Sequence, residues 1–223
     1  MNAHMSLTYD PAEAIAHLTK IDPLMGDLIA RIDAFTLTLE LTQSPFHALM
    51  RAIVYQQLSG KAAGTILGRV LALMPTGRGR PRPADLLALD DQSLRAAGLS
   101  QNKLLALRDL ATKAQEGIVP ALSVLHRLTD AEIIERLTAV RGIGVWTVEM
   151  LLLFRLGRSD VLPIADLGVQ KGYQITYRKR SLPSAKQLLA AGERWRPYRS
   201  VASWYLWRAV DVEKVASTST KKA

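Results

Sequence analysis

A phosphate-gripping turn beside a fixed carboxylate would suffice for chemistry on a nucleic-acid backbone, and one stretch of this chain has the residue types for both. Between Leu137 and Tyr173 lie a Gly142-Ile143-Gly144 turn, Trp146 two residues beyond it, and Asp166 after a proline. Two glycines between helix-like runs can take positive φ and let another backbone come close. The helix that follows offers unpaired N–H groups and its positive end to an anion. A plain glycine cap joining two helices would have the same local pattern, with Ile143 tucked into a core. Asp166 follows Leu162-Pro163-Ile164-Ala165 and precedes an apolar run from Leu167, which is the position of an N-cap. An N-cap carboxylate is held by helix amides, and a negative charge fixed in that way suits a sugar cation forming beside it. Asp160, earlier in the same connection, reads as a surface or turn residue.

Helices must position these groups, because helical periodicity dominates the chain. The pattern predicts helices over Pro11–Thr19, Pro23–Ile32, Pro45–Leu58, Lys61–Met74, Asp85–Leu89, Asp91–Ala97, Gln101–Glu116, Ala121–Arg127, Asp130–Val140, Val145–Leu156, Leu167–Thr176, Ser184–Ala191 and Ser200–Val210. Ser44-Pro45 reads as N-cap and first helical residue. Thr129 and Glu132 have the spacing of a capping box. Only Phe35–Leu41 alternates, and it reads as extended or as a short strand. Thr76–Pro83 is a basic break, either a solvated loop or a phosphate contact. The polar tail after Val212 is expected to fray.

The chain has 223 residues, 48% of them hydrophobic, which is enough for one large domain or two small ones. Lys and Arg number 29 against 20 acids, a net charge of +9 that favours a polyanionic partner. The absence of cysteine excludes disulfides, thiolate zinc sites and a cysteine-ligated iron–sulfur cluster. No uncharged apolar run reaches membrane-spanning length and no signal peptide is evident, so a cytoplasmic, nucleoid-associated protein is expected.

Four ordered motifs carry a resemblance. The run from Leu137 through Gly142-Ile143-Gly144 to Trp146-Thr147, and then Leu162-Pro163 with Asp166-Leu167-Gly168-Val169-Gln170-Lys171-Gly172, resemble the helix-hairpin-helix DNA glycosylase superfamily. They look most like its 3-methyladenine DNA glycosylase II branch. Upstream, Phe46 to Ala63, with Gln56-Gln57-Leu58-Ser59, is similar to the helix of that branch ending in QQ(L/I)S. Downstream, Trp195-Arg196-Pro197-Tyr198-Arg199-Ser200-Val201-Ala202 is similar to its WRPxRS segment. The likeness spans roughly residues 44–208.

The resemblance implies a mainly all-α fold with little or no N-terminal sheet. It implies two helical lobes with a cleft between them, one formed by 1–45 and 183–223, the other by 46–182 with the hairpin at about 137–156 and the aspartate. It makes Asp166 the catalytic residue and Gly142, Ile143 and Gly144 the phosphate-holding hairpin. The carbonyls of Arg141, Gly142 and Gly144 become candidates for a structural Na+, K+ or Mg2+, with no other cofactor required. Trp146 and Tyr55 are candidate pocket aromatics, although core packing accounts for Trp146 equally well and for Tyr55 better. Gln57 or Leu58 falls at the wedge, and Ser59, Lys61 and Lys171 fall near DNA backbone. Trp204 and Trp207 read as core. Two departures stand out. Relatives often carry a second acid where this chain has Ala165, and only about 43 residues precede the first motif.

The expected reaction is release of alkylated bases, of the 3-methyladenine and 7-methylguanine type, from double-stranded DNA by a monomeric, monofunctional glycosylase. A lyase branch of the superfamily places a Schiff-base lysine at GxGxK, and Trp146 stands at that position here. The alternatives are a bifunctional glycosylase/AP lyase, a non-enzymatic helix-hairpin-helix DNA-binding module and, least of all, a membrane-surface protein.

Overall fold

A computed structural model of the chain describes residues 7–32, 34–40, 44–75 and 80–220, and among these there is no strand. The helices are α1 (Pro11–Ile21), α2 (Pro23–Arg31), α3 (Pro45–Tyr55), α4 (Gly60–Ala72), α5 (Pro83–Ala88), α6 (Asp91–Ala96) and α7 (Gln101–Gln115). They continue with α8 (Leu122–Leu125), α9 (Asp130–Thr138), α10 (Val145–Phe154), α11 (Leu167–Thr176), α12 (Ala185–Gly192) and α13 (Arg199–Thr220). Most start on an Asp, Ser or Thr whose side chain accepts a first-turn amide, and Thr129 forms the expected capping box with Glu132. A 3-10 turn at Glu193–Trp195, unmarked in the sequence pattern, precedes α13.

One open reading is resolved and one expectation shifts. Phe35–Glu40 is extended but pairs with no strand: the Glu40 amide bonds to the Phe154 carbonyl at 2.8 Å, and Phe35 packs edge-on against Trp204. Leu41 lies outside the described residues, as do Thr76–Gly79 of the basic loop. The tail continues α13 as far as Thr220.

The chain forms two compact units, one of residues 1–40 and 152–223 and the other of residues 41–151. The second crossing therefore falls inside α10 rather than at 183, and Asp166 belongs to the unit with the termini. The reason is packing. α11 lies directly on α13, so closely that a Cβ on Gly172 would stand 1.9 Å from the Leu206 carbonyl oxygen. That unit has a core of Leu18, Met25, Leu28, Val169, Leu188, Trp195, Tyr205 and Leu206. In the other unit α7 is the central rod, packed on α3, α5 and α6 and burying Leu104, Leu107 and Leu110. Among the described residues no helix is long and apolar enough to cross a membrane.

Candidate active site and nucleic-acid interface

In the unit of residues 41–151, α9 ends and the chain turns through Arg141–Gly144 into α10. Gly142 has φ +79°, which any side chain would strain. Ile143 is buried and pins the turn, while Gly144 and Val145 are exposed at the start of α10. The Thr147 and Val148 amides return to the Gly144 carbonyl, so it is the very start of α10, at the exposed Gly144 and Val145, that is placed for an external acceptor. Nothing lies within 4 Å of where a Cβ on Gly144 would sit, so the fold itself does not demand a glycine there. The indole of Trp146, 48% exposed, stands beside this surface rather than in the core.

Helix α7 anchors the turn. Asp109 accepts the Arg141 amide at 2.7 Å, and Lys113 bridges Asp109 to the Ala139 carbonyl at 2.6 Å. Two of the three carbonyls expected to hold a cation already accept hydrogen bonds. That of Gly142 accepts Gln56 Nε2 at 2.8 Å, and that of Gly144 accepts the Thr147 and Val148 amides inside α10. Among the described residues no cluster of three His, Asp or Glu side chains could hold a metal.

The same unit brings the α3–α4 turn to the hairpin through that Gln56 bond. Gln57 has φ +57° and is exposed, Leu58 is 39% exposed, and Ser59 caps α4 with Lys61 exposed in its first turn. One face of the Tyr55 ring is taken by the Arg51 guanidinium, 4.0 Å from the centroid, so that face is closed to a cationic base.

In the unit of residues 1–40 and 152–223, Asp166 caps α11. Its Oδ1 accepts the Val169 amide at 2.9 Å and Trp207 Nε1–H at 2.8 Å. Trp207 is thus part of the site and not simply core, although Trp204 is buried as expected. No local signal in α13 marks this, because the bond reaches 41 residues along the chain. Leu167, beside the acid, is 52% exposed, and Lys171 is exposed farther along α11.

The connection leading to Asp166 is clamped by the WRPxRS segment. Asp160 pairs with Arg199 Nε at 2.6 Å and with Arg196. Ser200 donates to the Arg158 carbonyl and accepts from the Val161 amide, while Ser203 donates to the Val161 carbonyl. Asp160 is therefore a buttress rather than a surface turn residue. Trp195, fully buried, donates to Asp22, which also accepts the Tyr177 hydroxyl at 2.6 Å; burial and this bond push the tyrosine pKa up.

The chain is similar to known proteins over most of its length. The family described as HhH-GPD superfamily base excision DNA repair protein matches residues 50–197. The DNA-3-methyladenine glycosylase 1 of Schizosaccharomyces pombe is 35% identical over 197 residues, 88% of this chain and 86% of that protein. A 3-methyladenine DNA glycosylase from the same yeast, solved in complex with abasic DNA, superimposes with a TM-score of 0.74 over 88% of this chain and 95% of its own. A DNA-3-methyladenine glycosidase from Bacillus halodurans does so with a TM-score of 0.80 at 35% identity, over 92% and 91%. A hairpin presenting helix amides and an aspartate fixed at a helix start, in a chain this similar to those proteins, place it in the HhH-GPD superfamily of base excision DNA repair proteins.

Proposed function

We propose that this protein is a monofunctional DNA glycosylase that removes alkylated purines, of the 3-methyladenine and 7-methylguanine type, from double-stranded DNA. The observation that carries the reading is Asp166, a carboxylate whose orientation is fixed at the start of α11 by the Val169 amide and the Trp207 indole. A DNA-binding module would need the hairpin, and Asp166 only as the cap of α11.

The chemistry is economical. A base inside a duplex must first be flipped out, at a cost of a few kcal/mol that is smallest for damaged pairs. An N3- or N7-alkylated purine is cationic and leaves with the electron pair of the C1′–N bond without prior protonation. The sugar becomes an oxocarbenium ion, which Asp166 stabilises by charge. Water then adds to C1′ and gives up a proton, with Asp166 as acceptor, leaving free base and an abasic site. The exposed indole of Trp146 offers an electron-rich face to the cationic base. The hairpin amides grip a backbone phosphate, and Gln57 or Leu58 fills the gap in the stack.

The test is base release from duplexes carrying 7-methylguanine or 3-methyladenine. Wild type releases the base and Asp166→Asn does not; equal release by the two proteins refutes the assignment. A bifunctional glycosylase would form a borohydride-trappable adduct, and none is expected with Trp146 in place of the lysine.

A further inference from the structure

The α3–α4 turn holds a conformation that its own sequence resists. Gln57 sits at φ +57°, in the left-handed region that a residue with a Cβ disfavours. Something outside the turn must hold it. Lys103, from α7, donates from Nζ to the Val54 carbonyl at 2.7 Å and to the Gln56 carbonyl at 2.8 Å, which lie at and just beyond the last turn of α3. Among the described residues Lys103 pairs with no acid, and desolvation alone lowers its pKa. Its charge is therefore committed to two backbone oxygens. On the other side of the turn, Gln56 Nε2 donates to the Gly142 carbonyl at 2.8 Å.

The same helix holds the hairpin. Along one stripe of α7, Lys103 reaches the α3–α4 turn, Ala106 lies 3.4 Å from where a Gly142 Cβ would stand, and Asp109 and Lys113 hold the Arg141 amide and the Ala139 carbonyl. Those residues span about 15 Å of helix at 1.5 Å per residue. Two loops that would otherwise move independently are tied to one rod and, through Gln56, to each other.

We propose that Lys103 and Gln56 are positioning residues for base flipping. They fix the Gln57–Leu58 turn against the hairpin, so that the wedge stands at a set distance from the gripped phosphate. The inference rests on the function proposed above. A wedge that had to be ordered during insertion would charge that entropy to the flipping step, whereas a wedge ordered beforehand does not.

The test compares Lys103→Met, Lys103→Arg and Gln56→Leu with wild type in single-turnover release of 7-methylguanine. One duplex pairs the lesion with cytosine, and the other mispairs it with thymine, where flipping costs less. Lys103→Met and Gln56→Leu should lose on the order of tenfold on the paired lesion and clearly less on the mispaired one, with Lys103→Arg recovering much of the loss. A merely structural role would depress both substrates equally. Equal losses, or no loss on either duplex, overturn the inference while leaving the glycosylase reading intact. Wild type inactive on both duplexes overturns that reading and this inference together. Gln56 is exposed, so Gln56→Leu keeps the experiment decisive even if Lys103→Met lowers the melting temperature.

Discussion

Trp207 Nε1 donates a 2.8 Å hydrogen bond to Asp166 Oδ1, joining the middle of α13 to the cap of α11. The indole also stacks on Phe154, with ring centroids 5.7 Å apart. Its ring is therefore held by packing while its N–H aims the acid. Replacing Trp207 with Phe keeps most of the packing and removes the donor. Base release should fall on the order of tenfold, as for a misaimed catalytic group, while affinity for abasic duplex stays unchanged. Full activity in Trp207→Phe would show that the indole only fills space.

Two glycines on α11 permit that approach, and they should fail differently. A Cβ at Gly172 would meet the Leu206 backbone at 1.9 Å, and backbone cannot swing aside. Gly172→Ala should cost about 3 kcal/mol or more in unfolding free energy, or prevent folding, because it overpacks a helix crossing. A Cβ at Gly168 would meet Trp207 Cδ1 at 2.7 Å and Asp166 Oδ1 at 3.0 Å, both side-chain atoms. Gly168→Ala should leave a folded protein whose activity falls further than its stability. Denaturant melts beside single-turnover rates separate the two outcomes, and similar stability losses at the two sites would contradict them.

The contrast between these elements explains what the sequence reveals. Helices and caps are legible because period and start signals are local: Thr129 with Glu132, Ser44 with Pro45, and Asp166 before Leu167 all form as their spacing suggests. Contacts made across the chain are not. Trp207 looks like any apolar residue of a helix, and nothing near Asp160 foretells that Arg196 and Arg199 will close on it. The boundary between units is hidden for the same reason. It depends on which helix α11 packs against, and the small residues that decide this, Gly168 and Gly172, lie four apart on one helix face without saying which helix that face will meet. The strain at Gln57 is equally silent, since a glutamine does not announce a positive φ.

Gly142 and Gly144 divide the hairpin into a part the fold requires and a part it does not. Gly142 needs its positive φ, so Gly142→Ala should destabilise by roughly 1 kcal/mol or more. Gly144 has open space before it and no unusual φ. Gly144→Ala should melt like wild type and yet bind duplex more weakly, because the added methyl occupies the approach to the α10 amides. Titration of a fluorescent abasic duplex checks this, and unchanged affinity would remove Gly144 from the interface.

Acid should loosen the hairpin through Asp109. Burial alone would raise its pKa, but the Arg141 amide and Lys113 together hold it below the usual carboxylate range. A carboxyl with a folded value lower than its unfolded one contributes its full stabilisation above the unfolded value, near pH 4. That contribution disappears as pH falls through the folded value. Asp109→Asn can still accept the Arg141 amide but cannot pair with Lys113. Melting temperatures of wild type and Asp109→Asn should therefore differ at neutral pH, with wild type higher, and draw together as pH falls below the unfolded value near 4 and on through the lower native one. Hydrogen exchange at the Arg141 amide should follow the same course, faster in the variant at neutral pH and alike in acid. A gap that persists unchanged into acid would mean that the side chain acts there through shape rather than charge.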